Sequence, residues 1–386
     1  MSSEIQGICD ERFQPLKDAF VANFEDGLEL GASLCLMERG RPVVDLWAGW
    51  ANFRRTRPWE ADTIVGIASN TKIATALCLL MLIDRGKVDL DATVATYWPE
   101  FAQGGKGHVT VRQALSHRAG VPGYEPPVAW DAPHDWERIT AHIAAEPHWF
   151  GGEPRLCYHA HTYGFVLGEI VRRAAGRRPA QFFAEEVAGP GGVDLQIGLR
   201  VQTEVARSSL PYALRPVEPM HFDDPLAQRV WDCLEPAPIE AYMTWEHQHY
   251  AGPSGSGYAS ARGVARLVAI FAAGGTLDGV HFLSKALVDE ATHEQVFAPD
   301  PFFGMLRMGL GFGLDSEGFP APSPTAFHWG GSGGSLQCGD QRTGLSFGYV
   351  TNNFIITAEP FAERRFDRLW TALGAAMTAA AAETGA

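Results

Sequence analysis

Basic residues are in short supply: 31 Lys and Arg stand against 45 Asp and Glu, a formal charge of −14. A nucleic-acid surface works through clustered cations, so this balance argues against a phosphate-tracking role and for a neutral or apolar small substrate. The six cysteines (Cys9, Cys35, Cys78, Cys157, Cys233 and Cys338) contain no C-x-x-C spacing. That removes the usual zinc and disulfide frameworks and predicts free, mostly buried thiols in a reducing compartment. Long apolar runs are also missing. The strongest, Ile73 to Ile83 (IATALCLLMLI), falls short of the roughly 20 residues that span a bilayer and predicts a buried helix instead. The opening MSSEIQGICDERFQ carries acids where a signal peptide has a basic start and an apolar run, so the expected compartment is the cytoplasm, without membrane contact.

What is present is enough for a large core. With 386 residues, 46% of them hydrophobic, the chain supports about two domains, or one domain with a substantial insertion, and a cleft. Phe13, Leu16, Phe20 and Phe24 recur at helical spacing and predict a first helix ending near Asp26-Gly27. Gly31–Met37 and Pro42–Trp50 read as two strands joined by a hairpin at Glu38-Arg39-Gly40-Arg41. Leu336–Cys338 and Leu345–Thr351 read as adjacent strands and Pro360–Ala381 as a closing helix. The two ends therefore supply similar elements, predicting an α+β fold: one antiparallel sheet flanked by helices, built from residues 1–68 and 250–386, and a mainly helical lobe at 69–249.

Two serines compete for the role of nucleophile. Gly330-Gly331-Ser332-Gly333-Gly334 spells G-x-S-x-G, the nucleophile elbow of α/β-hydrolases. That elbow needs a helix after the serine and a later histidine. No histidine follows residue 332, and the next segment reads as strand. Ser69-Asn70-Thr71-Lys72 is S-x-x-K at the start of the apolar helix. Residues i and i+3 share a helix face, so the Lys72 amine can reach the Ser69 hydroxyl. A serine needs a base, and a lysine becomes one when burial lowers its pKa.

Around this serine, Gly66–Lys72 (GIASNTK) and Leu82–Asp91 (LIDRGKVDLD) are followed in order by Leu115–Val121 (LSHRAGV) and Gly255–Arg262 (GSGYASAR). Together they resemble the serine β-lactamase and penicillin-binding-protein superfamily, and within it the class C β-lactamase-like esterases, or family VIII carboxylesterases. The resemblance runs from about residue 28 to about 355. It implies the β-lactamase/transpeptidase-like fold with the active site between sheet and helical lobe. Tyr158-His159-Ala160 takes the place of the family's Y-x-N, which implies that Tyr158 shares proton transfer with Lys72. Ala160 departs from the pattern, since a methyl group cannot bind a substrate amide as Asn does. Trp329-Gly330-Gly331 takes the place of K-T-G or H-x-G. It implies that these glycines let a strand edge approach the acyl group and that the amides of Ser69 and Ser332 form the oxyanion hole. A second register, His328-Trp329-Gly330, hands that donor to Gly331. An indole where lactamases keep a lysine implies an uncharged ester substrate.

The expected activity is hydrolysis of carboxylic esters with short to medium acyl chains through an acyl-enzyme, without cofactor or metal. Alternatives within the family are a β-lactamase or D-amino-acid peptidase and an acyltransferase of the statin-synthase kind; outside it stands a non-catalytic binding protein on the same fold. The pairs His159/His161 and His247/His249 lack the helical spacing of a metal motif and read as surface or rim histidines. His159 is the first alternative base, and Glu246 could shape a pocket. Nothing in the sequence reads out the oligomeric state.

Overall fold

The computed structural model describes residues 4–212, 220–355 and 364–383. A nine-stranded antiparallel sheet runs in the order Gln6–Cys9, Arg41–Gly49, Gly31–Glu38, Leu345–Thr351, Leu336–Asp340, Phe327–Gly330, Gly313–Leu314, Gly304–Met308, Val296–Asp300. The hairpin expected at Glu38–Arg41 pairs those two residues directly. Its turn residues Arg39 and Gly40 both have positive φ, 50° and 79°, the twist that two-residue hairpins require. The two chain ends meet at the centre, where Phe347 lies opposite both Leu36 and Cys338. The far strands, from Val296 to Leu314, carry no clean polar–apolar alternation and were not expected. Pro299 is tolerated there because Val296–Asp300 is an edge.

Helices cover both faces. On one, the first helix (Gln14–Glu25) and the closing helix (Arg364–Glu383) bury Leu16, Phe20, Leu369, Leu373 and Met377 against Leu34, Leu46, Phe347 and Tyr349. On the other, the helix Ala261–Ala272 lies so close to the central strand that a Cβ on Gly348 would sit 2.4 Å from the Ala261 carbonyl. Behind it the helix Thr71–Asp84 is buried along twelve of its residues. A helix apolar all round has no solvent face and forms a core.

The stretch from Val94 to His249 is mostly helical. A small second sheet, Leu195–Ile197, Gly257–Ala259, Ile64–Gly66 and Ser208–Ser209, takes strands from either side of the boundaries expected at residues 68 and 249. It delivers the chain into the S-x-x-K turn. Among the described residues no helix is long and apolar enough to cross a membrane. All six cysteines are free and five are buried.

Candidate active site

The nucleophile turn is braced before its chemistry begins. Ile64–Gly66 runs into a single 3-10 turn, Ala68–Asn70, and then the buried helix. Ala68 holds φ at 45°, a left-handed conformation that non-glycine residues avoid unless their surroundings enforce it. The surroundings here do so. Ser335 Oγ donates to the Ile67 carbonyl at 2.8 Å and accepts from Asn70 Nδ2 at 2.9 Å. Gln337 Nε2 donates to the Asn70 carbonyl and to Asn70 Oδ1 at 3.0 and 2.8 Å. Thr71 Oγ1 donates to the Ala68 carbonyl at 2.6 Å and accepts from the Gly257 N–H at 2.8 Å. Asn70, Ser335 and Gln337 went unnoticed in the sequence, because buried polar side chains that brace a turn carry no local pattern.

Ser69, Lys72 and Tyr158 meet. Lys72 Nζ lies 3.1 Å from Ser69 Oγ, and Tyr158 Oη donates to the same oxygen at 2.7 Å. Lys72 is 2% exposed. Its amine also donates to the carbonyls of Ala160 and Ser254 at 2.8 and 2.9 Å, and among the described residues it has no carboxylate partner. Burial pushes its pKa down to about 7, because a charged amine loses its hydration there. Burial pushes the Tyr158 phenol the other way, well above its usual value, with Ser69 and Trp329 pulling it back only in part. The resting phenol is therefore protonated. A neutral amine has two N–H groups and one lone pair. With two carbonyls taking the N–H groups, the lone pair is left facing the serine hydroxyl.

Ala160 thus contributes through its carbonyl, while Ser254, missed in the sequence, supplies the second one. The Ser254 side chain is locked in turn, donating to the His161 carbonyl at 2.6 Å and accepting from the Gly164 N–H at 2.8 Å. His117, inside the LSHRAGV segment, stacks on Tyr163 with ring centroids 4.2 Å apart and lies 5.0 Å from Tyr158. Its Nδ1 accepts the His159 N–H at 3.0 Å. Burial drives its pKa well below the usual value, so it backs the phenol as a neutral ring.

The glycine-rich segment is a strand-turn-strand, Phe327–Gly330 paired with Leu336–Asp340, so the elbow geometry is absent. Ser332 is exposed. The Gly331 N–H, the donor in the second register, is bonded to the Ser335 carbonyl at 2.8 Å. Ser332 follows in the turn that the Gly334 N–H closes onto the Gly331 carbonyl at 2.9 Å. Ser69, Trp329, Gly330, Gly331 and Ser332 line one pocket. The structure shows a further reason for glycine at 331. A Cβ there would meet the Ile67 carbonyl at 2.2 Å, so Gly331 lets the strand approach the nucleophile turn. Gly330 has only ordinary contacts.

Two further expectations change. His159 is no rim histidine: it is 1% exposed, its Nδ1 faces the Cys157 carbonyl at 2.6 Å and its Nε2 accepts the Val121 N–H at 3.3 Å. With both ring nitrogens engaged it has none free to act as a base. Glu246 is exposed beside a different groove. Among the described residues no group of three or more His, Cys, Asp or Glu is placed to hold a metal.

The pocket wall is aromatic, formed by Tyr158, Phe222, Trp231, Phe302, Phe303, Phe319 and Trp329. Among the described residues that line it, none is charged.

Comparison with known proteins places residues 20–369 on the beta-lactamase family model. The esterase/beta-lactamase LipL of Mycobacterium tuberculosis is 30% identical over 90% of this chain and 83% of its own. Esterase EstB of Burkholderia gladioli is 30% identical over 84% and 86%. The crystal structure of a family VIII carboxylesterase superposes with a TM-score of 0.86 at 36% identity, covering 96% of this chain and all of that one.

Proposed function

The chain belongs to the beta-lactamase family, and from that membership we propose that it is a carboxylesterase, a serine hydrolase working through an acyl-enzyme on Ser69. One observation carries the reading: a serine hydroxyl held between a lysine with a depressed pKa and a protonated tyrosine, at 3.1 and 2.7 Å, in a pocket whose described lining residues carry no charge. Ser69 attacks the ester carbonyl as its proton passes to the Lys72 lone pair. The amides of Ser69 and Ser332 take the developing oxyanion; in such holes one donor contributes about 3 kcal/mol to the barrier. The Tyr158 phenol donates to the departing alkoxide and recovers its proton from Lys72. Water enters by the same route in reverse and frees the acid.

The aromatic wall selects neutral esters of short to medium acyl chains. A penicillin-type carboxylate lying against Trp329 would meet no cation among the described lining residues. Because LipL is named both esterase and beta-lactamase, slow lactam cleavage is the second reading. A panel of chromogenic esters of graded length beside a chromogenic cephalosporin separates the two: kcat/KM on the best ester exceeds that on the lactam, and the reverse order overturns the esterase assignment. Ser69→Ala abolishes ester hydrolysis with the fold intact, since the Ser69 hydroxyl caps no helix and, among the described residues, bonds only Lys72 and Tyr158. Ser332→Ala keeps most activity, because the backbone amide remains. An active Ser69→Ala enzyme would dismiss the site.

A further inference from the structure

Tyr158 carries its phenol on a stretch with no regular structure, residues 153–159. Neither helix nor strand fixes its backbone. Its neighbours Cys157 and His159 are tied by their N–H groups to His117, and Tyr158 itself is tied to Asp300, the last residue of the edge strand, 4% exposed. Its Oδ2 accepts the Tyr158 N–H at 2.6 Å. Its Oδ1 accepts the Phe302 and Phe303 N–H groups at 2.9 and 3.2 Å. The rings of Phe302 and Phe303 stand edge-on to the Tyr158 ring, with centroids 5.7 and 5.5 Å away, and all three line the pocket.

We propose that Asp300 is a positioning residue whose carboxylate ties the Tyr158 phenol and the Phe302–Phe303 wall into one unit, setting both proton transfer at Ser69 and the shape of the acyl pocket. The chemistry favours an anion for this task. Three amides converge from two directions, and a carboxylate offers an acceptor oxygen to each side, whereas an amide or a protonated acid gives up one of them. A buried charge is retained at the expense of its hydration only where several donors hold it. The titratable groups facing Asp300 are Tyr158, Cys157 and Asp224. Burial raises its pKa to about 6, the three amides lower it, and Asp224 raises it.

The inference rests on Ser69, Lys72 and Tyr158 acting as proposed. Asp300→Asn is isosteric but can serve only one side at a time. It lowers kcat for acylation by about 10- to 100-fold, the usual effect of displacing a catalytic group by a fraction of an ångström to an ångström, and shifts the acyl-length preference. The unaltered enzyme supplies a readout that packing alone would not move. Below pH 7 log kcat falls by one per pH unit as Lys72 protonates, and below about 6 the slope steepens toward two as Asp300 also protonates. In Asp300→Asn the slope stays at one. Wild-type kcat and chain-length preference in Asp300→Asn, or steepening that survives in it, overturns the proposal. Should that variant not fold, a slope of one down to pH 5 in the wild type does the same. Activity surviving in Ser69→Ala would instead overturn the site itself, which tells the two failures apart.

Discussion

Two lysines are buried in this protein, and they are held differently. Lys106, fully buried, gives its amine to three backbone carbonyls: Gln103 at 2.8 Å, Ala144 at 3.0 Å, and Glu146. Lys72 gives its amine to two carbonyls and a hydroxyl. Three carbonyls require three N–H groups, which only an ammonium has. Two carbonyls and a hydroxyl are satisfied by the neutral amine, because the hydroxyl can donate in return. The pKa values follow: burial lowers both, to about 8 at Lys106, where Glu146 pulls it up, and to about 7 at Lys72. One lysine is a cationic clasp joining its own turn to the end of the helix Trp136–Ala145, the other is held as the proposed base would be. The count of acceptors that can only accept separates them.

The comparison breaks most visibly in activity. Lys72→Arg keeps a cation that cannot deprotonate, and burst-phase acylation falls by about a thousandfold, within the range for lost general-base catalysis. Lys106→Arg leaves acylation unchanged. Near-normal acylation in Lys72→Arg would take that residue out of the mechanism. Tyr158→Phe is nearly as damaging, and the Lys72→Arg/Tyr158→Phe double variant is little worse than either, because groups that act as one unit are not additive.

Stability gives the next effect. Lys106→Met takes the amine from the buried Ala144 and Glu146 carbonyls and lowers unfolding free energy by about 3 kcal/mol, measured by urea denaturation at pH 7, while kcat holds. A variant as stable as the wild type would deny the clasp.

The smallest effect is the difference between the two lysines in how stability depends on pH. Both pKa values are lower in the folded state than the ordinary 10.5, so the unfolded chain binds more protons between the two and stability rises with pH there. The contribution is complete above about 10.5 and is lost as pH falls, through about 8 for Lys106 and through about 7 for Lys72. Lys72→Met therefore flattens the stability curve of the wild type down to pH 7, and Lys106→Met only to pH 8. Urea melts between pH 6.5 and 10 check this, and identical curves for the two variants would erase the distinction.

Lys106 also marks where the sequence stops being readable. In Gly104-Gly105-Lys106-Gly107 it looks like a cation on a solvated turn, and its burial depends on carbonyls some 40 residues away. The same holds for Asp300, Ser254 and Gln337. Each acts through a distant backbone group, which neither spacing nor composition records. Local signals were readable: the first helix, the central strands with their hairpin, the buried helix and S-x-x-K, whose meaning needs only a three-residue offset. The strands between Val296 and Leu314 escaped because short Gly- and Phe-rich segments become strands only by pairing with neighbours. Trp329 and Ser332 were found through the resemblance, whereas the work of Gly331 needed the Ile67 carbonyl in view.

The brace on the nucleophile turn has a consequence for synthesis. Asn70 and Gln337 are 267 residues apart, and translation at about 5–20 residues per second separates their emergence by on the order of half a minute. Until Ser335 and Gln337 leave the ribosome, nothing from the late strands holds Ala68 in its left-handed conformation and the pocket wall from Trp329 to Leu336 is missing. A nascent chain thus carries S-x-x-K long before it can acylate it, and a truncated product ending before Ser332 is inert toward esters however well its helices have formed.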